Sequence, residues 1–270
     1  MSNDQSPALT ILNILEMKGR GEKIACLTAY DASFARVLDT AGVDVVLVGD
    51  SLGMVIKGEE NTLSVTMDEM VYHARCAAKG IHRAWLVVDL PFMSYCNSEQ
   101  AAVNAARLVR EGHARMVKLE GGARCIEIIR YLTNQGIPVC AHLGLTPQSI
   151  HQLGGFRVQG RDRQAAENML VDAKHLEEAG AGLLVLECIP RDLAAEITRQ
   201  LKIATIGIGA GISCDGQVLV LQDMLGIHSD RTPRFAKNFL VGEKSIDAAV
   251  KSYVNAVRSG DFPKQEHGFD

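Results

Sequence analysis

Short apolar runs alternate with longer segments whose apolar residues recur at helical spacing along almost the whole chain. The runs are rich in Val, Ile and Leu at consecutive positions, the pattern of strands buried on both faces. They predict strands over residues 23–28, 43–48, 84–89, 115–120, 137–142, 182–187, 204–209 and 217–220. Helical spacing predicts helices over 31–40, 66–79, 98–111, 124–135, 164–179, 193–201 and 245–259, with a short one over 9–17 before the first strand. Asp31 has the chemistry of an N-cap, Thr66 and Glu69 that of a capping box, and Gly42, Gly80, Gly112, Gly136 and Gly180 that of helix stops. The segments 49–64, 149–161 and 227–240 read as loops. Eight strands alternating with helices have the size and rhythm of a (β/α)8 TIM barrel, an α/β fold, with a short N-terminal helix. One domain is expected over 1–270, with the barrel core over about 23–260. An open doubly wound sheet fits the same alternation. The count of eight, and polar residues at many strand ends instead of one switch point, favour the barrel.

The polar residues that close the strands carry the candidate chemistry. In order they are Thr28 and Tyr30, Asp50 and Ser51, Asp89, Lys118 and Glu120, His142, Glu187, Gly209 and Asp223. In a barrel, the ends of the second, third and fourth strands bring Asp50, Asp89 and Glu120 to one side of the mouth. Lys118 lies two residues before Glu120, so the two share a face. Three carboxylates at close range repel one another unless protons or a cation intervene. Oxygen donors without cysteine or a second histidine favour Mg²⁺ over zinc. A 2-oxo acid could complete the coordination, with its ketone polarised by the metal. Glu187, across the mouth, is then free to act as a base on a C–H beside the carbonyl. Lys118 can neutralise a substrate carboxylate, and His142 can hydrogen-bond or shuttle a proton.

Each residue also has a plainer reading. A single acid after a strand is most often a cap or turn former. Four acids closing four separate strands are harder to explain so, and after Asp50, Asp89 and Glu120 no helix is expected to start at once. A lysine inside Met-Val-Lys-Leu-Glu is costly to bury without a partner. His73, His82, His113, His151, His175, His228 and His267 have no supporting context and read as structural. Gly207-Ile-Gly-Ala-Gly211 fails the dinucleotide pattern, because Ile212 stands where its third glycine belongs. It reads instead as a tight turn giving a ligand room.

Composition narrows the function classes. Apolar residues make up 47% and charged residues 22% of 270, with a net charge of −4. No basic face recommends a nucleic-acid or membrane-surface partner. The first apolar stretch is interrupted by Thr10, Asn13 and Glu16, unlike a signal peptide, and no run reaches a membrane span. A cytoplasmic enzyme is therefore expected. Seven scattered cysteines without a CxxC pair read as reduced thiols, not as a disulfide framework or zinc site.

Seven motifs occur in order: Leu27-Thr-Ala-Tyr-Asp31, Val48-Gly-Asp-Ser-Leu-Gly53, Asp89-Leu-Pro-Phe92, Val117-Lys-Leu-Glu-Gly121, His142-Leu-Gly-Leu-Thr-Pro147, Leu186-Glu-Cys-Ile-Pro190, and Gly207-Ile-Gly-Ala-Gly211 followed by Asp215-Gly-Gln-Val-Leu-Val220. Together they resemble the ketopantoate hydroxymethyltransferase family, from about Thr10 to the end of the last helix. The resemblance implies transfer of one carbon from 5,10-methylenetetrahydrofolate to 3-methyl-2-oxobutanoate, giving 2-dehydropantoate and tetrahydrofolate, the first step of pantothenate biosynthesis. It implies a barrel like those of phosphoenolpyruvate mutase and isocitrate lyase, and Mg²⁺. Carried over, it makes Asp50, Asp89 and Glu120 metal ligands, direct or through water. Asp50, Ser51, Asp89 and Lys118 would contact the oxo acid, with His142 nearby and Glu187 as proton acceptor. It also implies a homodecamer, a pentamer of dimers. The alternatives are a metal-dependent carbon–carbon lyase, a Schiff-base aldolase using Lys118, and a barrel that only binds an acid. No pattern marks a folate pocket, and loops 55–64 and 227–240 are candidates for a lid.

Overall fold

The computed structural model describes residues 7–227 and 232–270. Eight parallel strands close into a barrel in strict chain order. They are β1 (Ile24–Thr28), β2 (Val45–Val48), β3 (Trp85–Asp89), β4 (Met116–Glu120), β5 (Val139–Gly144), β6 (Leu183–Glu187), β7 (Ala204–Ile208) and β8 (Gly216–Leu219). The helices are α1 (Ile11–Gly19), α2 (Ala32–Thr40), α3 (Leu52–Val55), α4 (Met67–Ala78), α5 (Ser98–Arg110), α6 (Ile126–Asn134), α7 (Ile150–Leu153), α8 (Arg163–Glu178), α9 (Arg191–Gln200), α10 (Leu221–Leu225) and α11 (Ile246–Ser259). The predicted caps are in place: Asp31 accepts from Ser33 and Phe34 N–H, and Thr66 and Glu69 form a reciprocal box.

Each strand serves two cores because its side chains alternate in direction. On β3 and β4, Leu86, Val88, Val117 and Leu119 face the helices, and Trp85, Val87 and Met116 face the lumen. The same parity sends Asp89, Lys118 and Glu120 inward at the carboxyl end. At the amino end, Ile14 and Met17 of α1 plug the lumen. Lys18 pins that plug, donating to Thr198 O, Ile203 O and Asp215 Oδ2 at 2.8–3.0 Å. The closed amino end leaves the carboxyl end as the mouth.

Three expectations change. The 49–64 and 149–161 loops contain one-turn helices, α3 and α7, too short for a sequence period to reveal. A helix does start directly after Asp50, although Ser51, not Asp50, is its N-cap. The room at Gly209 and Gly211 is taken by the chain itself. A Cβ at Gly209 would meet the Phe269 ring at 3.0 Å and Cys188 Sγ at 3.2 Å, and one at Gly211 would meet Arg191. The polar tail therefore folds back: Arg191 N–H donates to Phe269 O, and Phe262 is buried against Phe239 and Tyr253. Residues 232–240 pack here through Ala236 and Phe239, whereas His228 and Arg231 lie outside the described residues.

One ion network, a buried carboxylate with two partly exposed guanidinium groups, ties the base of β2 to its neighbours. Asp44 is fully buried and accepts from Ala25 N–H, Arg83 Nη2 and Arg258 Nη2 at 2.8–3.1 Å. Asp44→Ala leaves Ala25 N–H and two guanidinium groups without that acceptor. It should lower the urea midpoint by the equivalent of about 3 kcal/mol; an unchanged midpoint would show that the network does not anchor the strand.

Candidate active site at the barrel mouth

Strand register brings the predicted residues together. Asp89 on β3 lies opposite Lys118 on β4, Glu120 opposite His142 on β5, and Glu187 of β6 opposite Gly144. The side chains make a continuous row around the mouth. Lys118 Nζ is 2.8 Å from Asp89 Oδ1 and 3.7 Å from Glu120 Oε1. His142 Nδ1 is 3.3 Å from Glu120 Oε1, and its Nε2 is 3.3 Å from Glu187 Oε2. Read along the row, the groups alternate between acid and base: Asp89, Lys118, Glu120, His142, Glu187.

The charges follow from this order. Burial presses on Lys118, but Asp89, Glu120 and Asp50 outweigh it and hold the ammonium well above the ordinary lysine range. That is the wrong direction for an amine nucleophile, which must be deprotonated. Burial and the Lys118 charge push the His142 imidazole down, yet Glu120 and Glu187 prevail and raise it to about 9. Burial also opposes ionisation of Glu120, whose carboxyl is nonetheless lowered by the neighbouring His142 and by Lys118. Acidic and basic groups thus alternate along the row, with Lys118 and His142 held in their cationic forms at neutral pH. Neither imidazole nitrogen is aligned as a hydrogen bond with its carboxylate, so directional bonding capacity remains in the middle of the row.

Asp50 stands beside this row as its surplus charge. Its backbone N–H donates to Asp89 Oδ2 at 3.0 Å, and its Oδ2 accepts from Gln148 Nε2 at 2.8 Å. Burial, then repulsion from Asp89 and Glu120, holds its carboxyl well above the usual range. Ser51 Oγ bonds Tyr30 OH at 2.8 Å. A Cβ at Gly49 would approach Ser51 Oγ to 2.8 Å, so a larger residue there would displace this hydroxyl. Thr28 has a structural role instead, accepting from Leu221 N–H. After Glu187 the chain turns at Cys188, a non-glycine residue at φ 47°, a conformation that costs about 1–2 kcal/mol.

Gln148 and Tyr95 were not foreseen from the sequence. Gln148 N–H donates to Glu120 Oε2 at 3.1 Å, while its side chain reaches Asp50, Leu90 O and Tyr95 OH. It therefore joins two of the acids. Both residues sit in loops after strands, where no period gives direction; the one available signal was an amide directly after Thr146-Pro147.

The donor set fits a hard divalent cation. Asp50, Asp89 and Glu120 offer oxygen only, and the single lysine among them leaves negative charge uncompensated. Among the described residues no group of three or more His, Cys, Asp or Glu side chains is arranged to hold a metal ion by itself. Mg²⁺ commonly takes one or two carboxylates and keeps its own waters.

A group whose carboxyl is raised on folding contributes stability below its unfolded value, 3.8 for Asp50, and loses it as pH rises through the folded value. A cation that neutralises the cluster restores that loss. The rise in melting temperature on adding Mg²⁺ should therefore grow between pH 5 and pH 8, and Asp50→Asn should abolish most of it. A shift independent of pH and retained in the variant would place the cation elsewhere.

A family model described as ketopantoate hydroxymethyltransferase matches residues 8–265. A 3-methyl-2-oxobutanoate hydroxymethyltransferase of Methylococcus capsulatus is 58% identical over 261 residues, covering 97% of each chain. One of Nitrosococcus oceani is 57% identical over 258 residues, 96% of this chain and 98% of that one. Among solved structures, 2,3-dimethylmalate lyase aligns at TM-score 0.57 and 17% identity, over 79% of this chain and 81% of that one. A phosphonopyruvate hydrolase complexed with oxalate and Mg²⁺ aligns at TM-score 0.59 and 12% identity, over 78% and 81%. Those two are similar in fold. By its matched length and its relatives, the chain belongs to the ketopantoate hydroxymethyltransferase family.

Proposed function

We propose that the chain transfers a hydroxymethyl group from 5,10-methylenetetrahydrofolate to 3-methyl-2-oxobutanoate, giving 2-dehydropantoate and tetrahydrofolate, with Mg²⁺ as its resident cation. The observation that carries this reading is the near-complete match to that family, joined to an acid row suited to taking a proton from carbon. A metal-dependent carbon–carbon lyase is not favoured. The relatives at 57–58% identity bear the transferase name, while the lyase neighbour shares the fold at 17%. Cytoplasmic location and a homodecamer belong to the same reading. Among the described residues no helix is long and apolar enough to cross a membrane, and Tyr72, Val103, Tyr131 and Val171 expose apolar surface on outer helices that a neighbouring subunit could cover.

The net reaction consumes one water and moves no electrons. The C3 hydrogen of the oxo acid leaves as a proton, a carbon–carbon bond forms to the methylene carbon, and both of that carbon's bonds to folate nitrogen break. Water supplies the new hydroxyl, and the released protons return to the folate nitrogens.

Within this scheme Asp50, Asp89 and Glu120 hold the cation, directly or through water. A bound Mg²⁺ supplies positive charge that polarises the ketone and stabilises negative charge on its oxygen. Lys118 faces the substrate carboxylate with a fixed ammonium, and Ser51, oriented by Tyr30, donates to the same ligand. Glu187 takes the C3 proton. Its neighbour His142, held cationic, sets a positive charge 3.3 Å from one Glu187 oxygen. His142 is itself kept cationic from the other side by Glu120.

Proton removal can be read without folate, as exchange of the C3 hydrogen of 3-methyl-2-oxobutanoate in deuterated water. Glu187→Gln should slow this exchange by about 10²–10⁴-fold while keeping the Mg²⁺-dependent thermal shift. Wild-type exchange in that variant would remove Glu187 from the mechanism. Exchange insensitive to EDTA would remove the cation.

A further inference from the structure

A cleft of about 410 Å³ opens on the barrel face beside the acid row, between the loops that follow β3, β4 and β5. Its walls are Leu63, Phe92, Met93 and Ile128, and Gln148 and Arg124 line it with polar groups. We propose that this cleft seats the reduced pterin ring and adjoining aryl group of the folate cosubstrate. The proposal rests on the transferase reading above and adds where the second substrate lies.

Four observations converge on it. The first is continuity. The Gln148 side chain lines the cleft and also bonds Asp50 Oδ2, and Tyr95, another lining residue, bonds both Gln148 and the Glu120 backbone. The cleft and the acid cluster thus share one wall, made by Gln148 and Tyr95.

The second is chemistry. A flat, weakly polar ring system calls for apolar and polarisable walls with a few directed donors and acceptors at its edge. Phe92 offers a ring face and Met93 a thioether, while the Gln148 amide, its two N–H bonds taken by Asp50 and Leu90 O, keeps one lone pair on its oxygen. Arg124 spends Nη2 on Glu120 O and Ser149 Oγ and keeps further donors of its guanidinium fork. The volume is within the range of about 300–1,000 Å³ typical of small-molecule sites, and larger than a five-carbon oxo acid needs.

The third is exposure. Phe92 and Met93 are 42% and 60% exposed side by side at the rim, apolar surface that a bound ring would cover. The fourth is the backbone that presents them. Met93 is held at φ 62°, a left-handed conformation that methionine adopts only under constraint. The constraint is visible. Gln100 of α5 donates to Met93 O at 3.0 Å and accepts from Cys96 N–H at 2.8 Å, Asn104 of α5 donates to Ser94 O, and Ser94 closes the turn on Pro91 O. A strained turn so heavily braced, with apolar tips pointing outward, is typical of a ligand clamp.

The test uses the whole enzyme with Mg²⁺ and two variants at the rim, Phe92→Ala and Met93→Gly. Glycine tolerates the backbone at 93, so the second variant removes the side chain without adding strain. Tetrahydrofolate is titrated by calorimetry, and KM is measured for 5,10-methylenetetrahydrofolate. Both constants should rise by about tenfold or more. Folate-independent C3 exchange of the oxo acid, whose groups lie on the other side of Gln148, should proceed at the wild-type rate. Unchanged folate constants in both variants would overturn the assignment while leaving the transferase reading intact. A parallel fall in exchange would also overturn it, by showing that the turn acts through the acid row. So would a changed subunit number in sedimentation velocity, which would make the turn an interface. Wild-type enzyme that exchanges the C3 proton but does not bind tetrahydrofolate would instead overturn the folate reading itself.

Discussion

Alternating charge around the barrel mouth is the constraint on which the site depends. Asp89, Lys118, Glu120, His142 and Glu187 come from four successive strands, and each touches the next. Isolated, any of these charges would be too costly to bury. In sequence around the mouth, each is paid for by neighbours of opposite sign. The order also fixes protonation. His142 is cationic because it stands between two acids, and Glu120 is anionic because it stands between two cations. A change at Glu120 therefore alters the ionisation of His142, and the reverse.

Asp50 breaks the alternation. It is a further acid with no cation of its own, tied to the row through Gln148 and through its backbone bond to Asp89. The fold can retain it at neutral pH by keeping a proton there or by accepting a metal ion. Binding a cation and holding a chelating substrate then depend on the same surplus charge. The scaffold below is apolar and closed by α1, so the field of these groups is directed toward the open end.

Rigidity and strain divide between the strands and the loops. The strand-end residues are placed by hydrogen-bond register and by the alternation of side chains, both insensitive to local sequence. The loop residues are placed by specific bonds instead. Met93 and Cys188 sit in left-handed conformations on the β3 and β6 sides of the mouth, Met93 braced by Gln100 and Cys188 by backbone bonds to Ile208 and Gln159. The C-terminal Phe269 fills the space beside Gly209, on the side of the mouth away from the cleft.

The sequence by itself determined the eight-strand alternation, the helix caps at Asp31 and Thr66, and the acids that close β2, β3, β4 and β6, because strands buried on both faces leave continuous apolar runs whose ends are unmistakable. Motif order was enough to point to the family. What only the tertiary structure decided was pairing: that Lys118 bonds Asp89 more closely than Glu120, and that His142 bridges Glu120 and Glu187, are consequences of register between strands, which no single run encodes. Gln148 and Tyr95 were invisible for a related reason. They reach the site from loops, where side-chain direction is set by bonds to distant backbone and not by a period. The one-turn helices α3 and α7 and the folded-back tail share that cause, since short segments take their shape from what they pack against.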